Sequence, residues 1–320
     1  MEQNIHYDTS AKTTVGDEQV AQVQAQLTWR DFITVTKPGI VRSNTLSAVA
    51  AFWLAAQTMS GSAVSGISGF LLFIFTTIGT GLIIASGCVL NNYLDRDLDE
   101  LMERTKNRPS VQKMSPRLLL TYGIGLGVVG VLLMATLVNI MSAVLGLLGI
   151  FFYVIIYTLL MKRTSSLNTV VGGFSGSIPP MIGWCAVTGT VDAAAGILFI
   201  ILFLWQPPHF LALAMLRNEE YREAGFKMLP SEGGMKETKW QMLLWVAAMV
   251  PASLLLFLLP SLGYLYLTVM SVLGIVWLIY ALKGVFGKIA DDKKWAGKMF
   301  GYSLIYLVAM YAVIFIDAAF

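Results

Sequence analysis

Charged positions in this 320-residue chain fall into islands. No Asp, Glu, Lys or Arg occurs from Ser43 to Leu94, Leu118 to Met161 or Trp240 to Leu282. Thr164–Leu216 carries one acid, Asp192, and Met299–Phe320 carries one, Asp317. A spanning helix needs about 20 apolar residues. The last stretch therefore holds one span, and each of the others is long enough for two. Turn signals divide the doubles: "MSGSAVSGISG" at 59–69, "VNIM" at 138–141, "TGTVD" at 188–192 and "LPSLG" at 259–263. The pattern predicts nine transmembrane helices, at 39–59, 69–90, 118–137, 141–160, 168–188, 193–214, 241–259, 263–282 and 299–317. The runs are too long, and alternate too little, for barrel strands.

Composition agrees. The chain is 56% hydrophobic and 13% charged, with mean hydropathy +0.70, which excludes an ordinary soluble domain. With the N-terminus in the cytoplasm, all 22 Lys and Arg fall on inner segments and none on outer turns. By the positive-inside rule a multi-pass membrane protein is expected, N-terminus cytoplasmic and C-terminus outside; the cell membrane is the expected location. The net charge of +3 is thus a topology signal, and no nucleic-acid partner is implied. Residues 1–28 read as a disordered cytoplasmic tail without the basic–apolar–small pattern of a signal peptide. The membrane domain then occupies 29–320, opening with a short interfacial helix in "WRDFITVTKPG" at 29–39. Cys88 and Cys185 sit within spans and read as packing residues.

Acids and bases crowd the inner end of the second span, in "NNYLDRDLDELMERTKNRP" at 91–109. On a helix Asn91, Asp95 and Asp99 share one face. One reading is a solvated helix end whose acids pair with Arg96, Arg104 and Lys106. Two physical points oppose it. A helix C-terminus disfavours carboxylates, and Asp95 and Asp99 repel each other unless a cation lies between them. Mg2+ relieves both, since it takes one or two carboxylates and completes its shell with water and phosphate. Arg104, Lys106 and Arg108 then hold a phosphate. A second inner loop, "RNEEYREAGFKMLP" at 217–230, repeats the order of acids, base and proline, which suggests a pseudo-repeat facing one cavity.

These residues resemble the first Asp-rich motif of the UbiA-type intramembrane prenyltransferases. More narrowly, they resemble the protoheme IX farnesyltransferase (haem O synthase) branch. "TKPGIVRSN" (36–44), "YTLLMKRTSSLNTVVGGFSGSIPPMIGW" (157–184), "WQPPHFLALAM" (205–215) and "YREAGFKMLP" (221–230) agree with that branch. Two features depart from the superfamily pattern. Asn92 stands where many members have Asp, and the second loop offers glutamates in place of a clean Asp-x3-Asp.

The resemblance implies an all-α polytopic membrane protein, with nine transmembrane helices around a central cavity opening to the cytoplasmic side. It implies farnesyl diphosphate and haem B as substrates, with haem O and diphosphate as products. Asn91, Asp95 and Asp99 are then the catalytic set. Asp95 and Asp99 are Mg2+ ligands, and Glu220 is the candidate from the second loop. Arg96, Arg104, Lys106, Arg108 and Arg42 are candidates for the diphosphate, with Lys162, Arg163 and Lys227 beside them. Tyr153 and Tyr157, one turn apart, either shield an allylic cation or pack the core. His209, the one histidine outside the tail, is either a core residue or a haem contact. Gly172, Gly173 and Gly176 allow close helix packing or the approach of a flat porphyrin. The resemblance also points to a partner in haem-copper oxidase assembly or a haem A synthase. The competing readings are a prenyltransferase with an aromatic or quinone acceptor, and a transporter. A transporter is expected to carry ionisable groups at mid-membrane depth, whereas these spans are almost free of charge.

Overall fold

The uncharged stretches fold as helices because lipid leaves no other partner for backbone N–H and C=O groups. The computed structural model describes residues 26–59, 64–223 and 225–320, and among them no strand occurs. Most of the expected tail, including His6, lies outside the described residues.

In chain order the helices are α1 (Trp29–Val35), α2 (Pro38–Thr58), α3 (Gly66–Leu94), α4 (Arg96–Leu101), α5 (Pro109–Gln112), α6 (Pro116–Leu137) and α7 (Ile140–Phe151). A π-helical segment, Phe152–Met161, continues α7. Then follow α8 (Asn168–Gly176), α9 (Ile178–Thr188), α10 (Ala193–Leu216), α11 (Asn218–Glu223), α12 (Leu229–Glu232), α13 (Gly234–Leu254), α14 (Tyr264–Phe286) and α15 (Asp292–Asp317). Among the described residues eight helices are long and apolar enough to cross a membrane, so the chain is a multi-pass membrane protein. α2 has the length, at 21 residues, but Ser43, Asn44, Thr45 and Ser47 lower its hydropathy.

Several expected boundaries change. α3 runs on to Leu94, α13 begins at Gly234 and α15 at Asp292, so these helices extend past the expected spans at the ends that face the charged segments. Hydropathy sees the lipid boundary and not the end of the helix, since residues such as Lys, Glu and Gln are good helix formers in water. The fifth expected span is broken at Ser177, just before Pro179 and Pro180. Proline donates no backbone hydrogen bond. The buried Gln206 of α10 compensates, donating to the Gly173 carbonyl (2.8 Å) and to Ser177 Oγ (3.0 Å).

Small residues bring the helices close. A Cβ on Gly183 of α9 would stand 1.9 Å from the Ala48 carbonyl oxygen of α2, so the two backbones touch there. α3 and α6 meet along Gly123, Gly127 and Gly130, where Ser86 Oγ donates to the Gly123 carbonyl at 2.7 Å. The main core joins α9, α10, α13, α14 and α15, with Trp184, Trp277, Tyr266 and Tyr306 fully buried. α1 docks by Phe32 on Tyr122 and by Asp31 on Lys113 (3.1 Å), leaving Trp29 exposed.

Candidate functional site

The C-terminal end of α3 places the first site residues. The i→i+4 bonds continue through the junction into α4, from the Asp95 N–H to the Asn91 carbonyl (2.9 Å) and from the Asp99 N–H to the Asp95 carbonyl (2.8 Å). Asn91, Asp95 and Asp99 therefore share one face, and all three are buried. Each meets a cation. Lys37 Nζ donates to Asn91 Oδ1 at 2.5 Å, Lys162 Nζ donates to Asp95 Oδ2, and Arg108 donates to Asp99 Oδ2 at 2.7 Å. The Asn91 amide donates to Asp95 Oδ2 (2.8 Å) and to Thr158 Oγ1 (3.1 Å). Asp95 Oδ1 is buried and accepts no hydrogen bond.

Lys162 reaches Asp95 because of the π-helix. From Tyr153 to Lys162 is about two and a half turns of α-helix, which puts the two on opposite faces. The i→i+5 bonding of the wider helix turns the same stretch into about two turns, so both face inward. The Lys162 N–H to Tyr157 carbonyl bond (2.8 Å) and the Thr158 Oγ1 to Tyr153 carbonyl bond (2.8 Å) record that spacing. The Tyr153 and Tyr157 rings stack 5.7 Å apart at 15°, lying against Gly87 and Gly172.

These groups form one pole of a cavity of about 500 Å³. Its walls are mostly apolar, with Ile83 and Ile84 on α3, Gly146 and Gly149 on α7 and Ile178 and Ile182 on α9. The α10–α15 wall contributes Trp205, Gln206, His209 and Leu307. His209 is sandwiched between Trp205 (4.5 Å) and Phe300 (4.6 Å), with Nδ1 2.7 Å from Ser303 Oγ. That hydroxyl already donates to the Phe300 carbonyl (2.6 Å). It therefore accepts from His209, which assigns a proton to Nδ1.

The two charged loops, 91–109 and 217–230, meet over the cavity. Met102 and Phe226 form a small core with Leu98, Tyr221 and Met228. Arg104 lies 3.6 Å from Glu220, which also pairs with Arg217 (3.0 Å). Glu220 lines a neighbouring pocket with Leu213 and Phe300. Among the described residues no three His, Cys, Asp or Glu side chains converge, so Glu220 does not join Asp95 and Asp99 in one cluster. Arg42, Arg96, Lys106 and Lys227 also lie outside the cavity lining. Arg42 and Lys227 are exposed, Arg96 donates to the Val111 carbonyl (3.0 Å), and Lys106 pairs with Glu103 (2.6 Å). Arg163 makes a two-pronged pair with Asp97 (both 2.8 Å) and holds that carboxyl below its ordinary range.

Lys37, Thr158 and Gln206 are cavity or pole residues that the sequence reading did not single out. Lys37 carried one signal, its place in "TKPG" before the first turn of α2. It is the one non-glycine residue with positive φ among the described residues (φ 55, ψ 68). Burial pushes its ammonium down to about 8, with Lys162 and Arg108 adding to the shift.

Asp95 Oδ1 offers a buried lone pair, and Asp99 lines the same cavity. Two carboxylates with no third suit Mg2+, which completes its shell with water and phosphate oxygens.

Comparison with known proteins follows the same line. Residues 45–304 match the UbiA prenyltransferase family. A protoheme IX farnesyltransferase of Alkalihalophilus pseudofirmus is 46% identical over 301 residues, covering 94% of this chain and 93% of that one. One from Exiguobacterium sibiricum is 48% identical over 289 residues (89% and 91%). Protoheme IX farnesyltransferase 2 of Bacillus subtilis is 45% identical over 294 residues (90% and 93%). Among solved structures, a UbiA homolog from Aeropyrum pernix has a TM-score of 0.67 at 18% identity, covering 87% of this chain and 98% of that one. A UbiA homolog from Archaeoglobus fulgidus, bound to DMAPP and Mg2+, has a TM-score of 0.56 at 14% identity (89% and 99%). At these identities the structural likeness shows the fold, while the sequence matches show the family. The chain belongs to the UbiA prenyltransferase family, among the protoheme IX farnesyltransferases.

Proposed function

We propose that the protein transfers the farnesyl group of farnesyl diphosphate to a vinyl group of haem B, giving haem O and diphosphate. The carrying observation is one cavity that joins a carboxylate–cation pole to an apolar interior with a histidine in its wall. The C1–O bond of the diphosphate breaks and the vinyl carbon bonds to C1. Water captures the resulting cation as a hydroxyl and releases a proton. No protein nucleophile is needed.

Each residue has a task. Asp95 and Asp99 hold Mg2+, which when bound supplies positive charge to the leaving diphosphate. Asn91 orients Asp95 through its amide. Lys37, Lys162, Arg104 and Arg108 are the cations at hand for the diphosphate, and preorganised cations favour the charge that develops on it. The stacked faces of Tyr153 and Tyr157 shield the allylic cation. His209, in the cavity wall, is the residue for haem B, either as contact or as ligand. The apolar walls exclude water from the prenyl chain. In the membrane, α2 is the ninth span, and the cavity mouth under the two loops opens to the cytoplasmic side. The N-terminus lies on that side and the C-terminus outside.

The test is haem O formation by the purified full chain with haem B, farnesyl diphosphate and Mg2+, read by mass spectrometry. Product should vanish with EDTA and fall at least ~10²-fold for Asp95→Ala, the scale seen when one electrostatic group is removed from a preorganised site. Folded wild type that binds farnesyl diphosphate but makes no product from haem B would overturn the acceptor assignment.

A further inference from the structure

The cavity ends at a defined depth. On α3 its lining stops at Ile83, and the next inward-facing residues, Thr80 and Thr76, are buried beyond it. On α7 the lining stops at Gly146, with Ala143 and Ser142 buried behind. On α9 it stops at Ile182.

Ile83 closes this end. Its side chain is 3% exposed and fills the space left by two glycines on different helices. A Cβ on Gly146 would stand 2.5 Å from Ile83 Cδ1, and one on Gly130 of α6 would stand 3.0 Å from Ile83 Cγ1. One turn further out, a Cβ on Gly79 would meet Met134 Sδ at 2.4 Å, so α3 and α6 leave no channel behind Ile83.

The wall between the pole and this plug is that of a prenyl site. From Asp95 to Ile83, α3 rises ~18 Å. Below Asn91 it presents Cys88, Gly87, Ile84 and Ile83, opposite Tyr153, Ile150 and Gly149, with no charged group among them. An extended diphosphate and three isoprene units fill that depth. A fourth unit has to displace Ile83. The rest of the floor, Leu202 on α10, Tyr311 on α15 and Ser47 on α2, lies on the side of the wall assigned above to haem.

We propose that Ile83, seated against Gly146, sets the upper limit of the prenyl chain at farnesyl. This rests on the prenyl-transfer reading above and adds the residue that selects chain length.

The experiment has two parts. The first measures binding of geranyl, farnesyl and geranylgeranyl diphosphates to the purified full chain with Mg2+ and no haem. The second measures kcat/KM for transfer of each to haem B. Ile83→Ala should raise the geranylgeranyl-to-farnesyl ratio by roughly 10-fold or more, since even one methylene in an apolar pocket discriminates by that order. Gly146→Ala pushes Ile83 into the cavity and should shift the preference toward geranyl. Ile83→Val keeps most of the packing and should give an intermediate rise, so a poorly folding Ile83→Ala leaves the proposal testable. Folded Ile83 and Gly146 variants that keep the wild-type length preference in both measurements would overturn it. Wild type that binds none of the three diphosphates would instead overturn prenyl transfer itself.

Discussion

Lys37 shows how a single residue is held at some cost. Its left-handed backbone directly before Pro38 is unusual for a long side chain, and such conformations cost about 1–3 kcal/mol. Here it turns the ammonium onto Asn91, 54 positions away in the chain. Because burial lowers that ammonium to about 8, its charge is lost as pH rises through that value. The kcat/KM for prenyl diphosphate should therefore fall above pH 8, and Lys37→Arg should move the fall upward, since guanidinium stays charged. Unfolding does not account for such a fall. Between about 8 and the unfolded value of 10.5 the unfolded chain binds more protons, so this group makes stability rise with pH. A limb that stays at pH 8 in Lys37→Arg would take Lys37 out of the profile. Asn91, Asp95 and Asp99 were legible from their i, i+4, i+8 spacing alone. Lys37 was not, because only folding brings α2 beside α3.

At the scale of elements, two devices position the site. The π-helix after α7 rotates Lys162 toward Asp95. No periodicity argument foresees it, since a uniform α-helix from 141 to 160 fits the apolar pattern equally well. The other device is the backbone contact between α2 and α9 at Gly183, which holds both walls of the cavity. Gly183→Ala should cost about 1–3 kcal/mol or more through overpacking against the Ala48 carbonyl. Thermal unfolding in detergent measures that, and an unchanged midpoint would mean the helices part freely. The break at Ser177 departs from the single span expected at 168–188; Pro179 and Pro180 carried its signal, and nothing signalled its repair by Gln206. Gln206 precedes Pro207 in sequence and reads as one more polar residue in an apolar run.

At the scale of the whole molecule, the two acidic loops come together over one cavity. The Arg104–Glu220 pair is too exposed to hold them, because such pairs contribute about 0–1 kcal/mol. Met102 and the buried Phe226 carry more, so Phe226→Ala should raise KM for prenyl diphosphate and speed proteolysis within 217–230. Arg104→Gln, which removes the cation of that pair, should do little to proteolysis. Equal sensitivity of the two variants would reverse that ranking. The orientation is testable in the same molecule. A cysteine at Val191 should react with an impermeant thiol reagent from outside intact cells, and one at Lys227 only after permeabilisation. The sequence by itself determined the helical class, eight of the nine expected spans to within about two turns, the clustering of charge between them and the acidic face of the second span. Each follows from local chemistry: apolar length, charge placement and the 3.6-residue repeat. Tertiary structure alone decided which cation meets which carboxylate, where helices widen or break, and where the cavity ends. Those depend on side chains from helices far apart in the chain, and on glycines whose role is set by the atoms facing them.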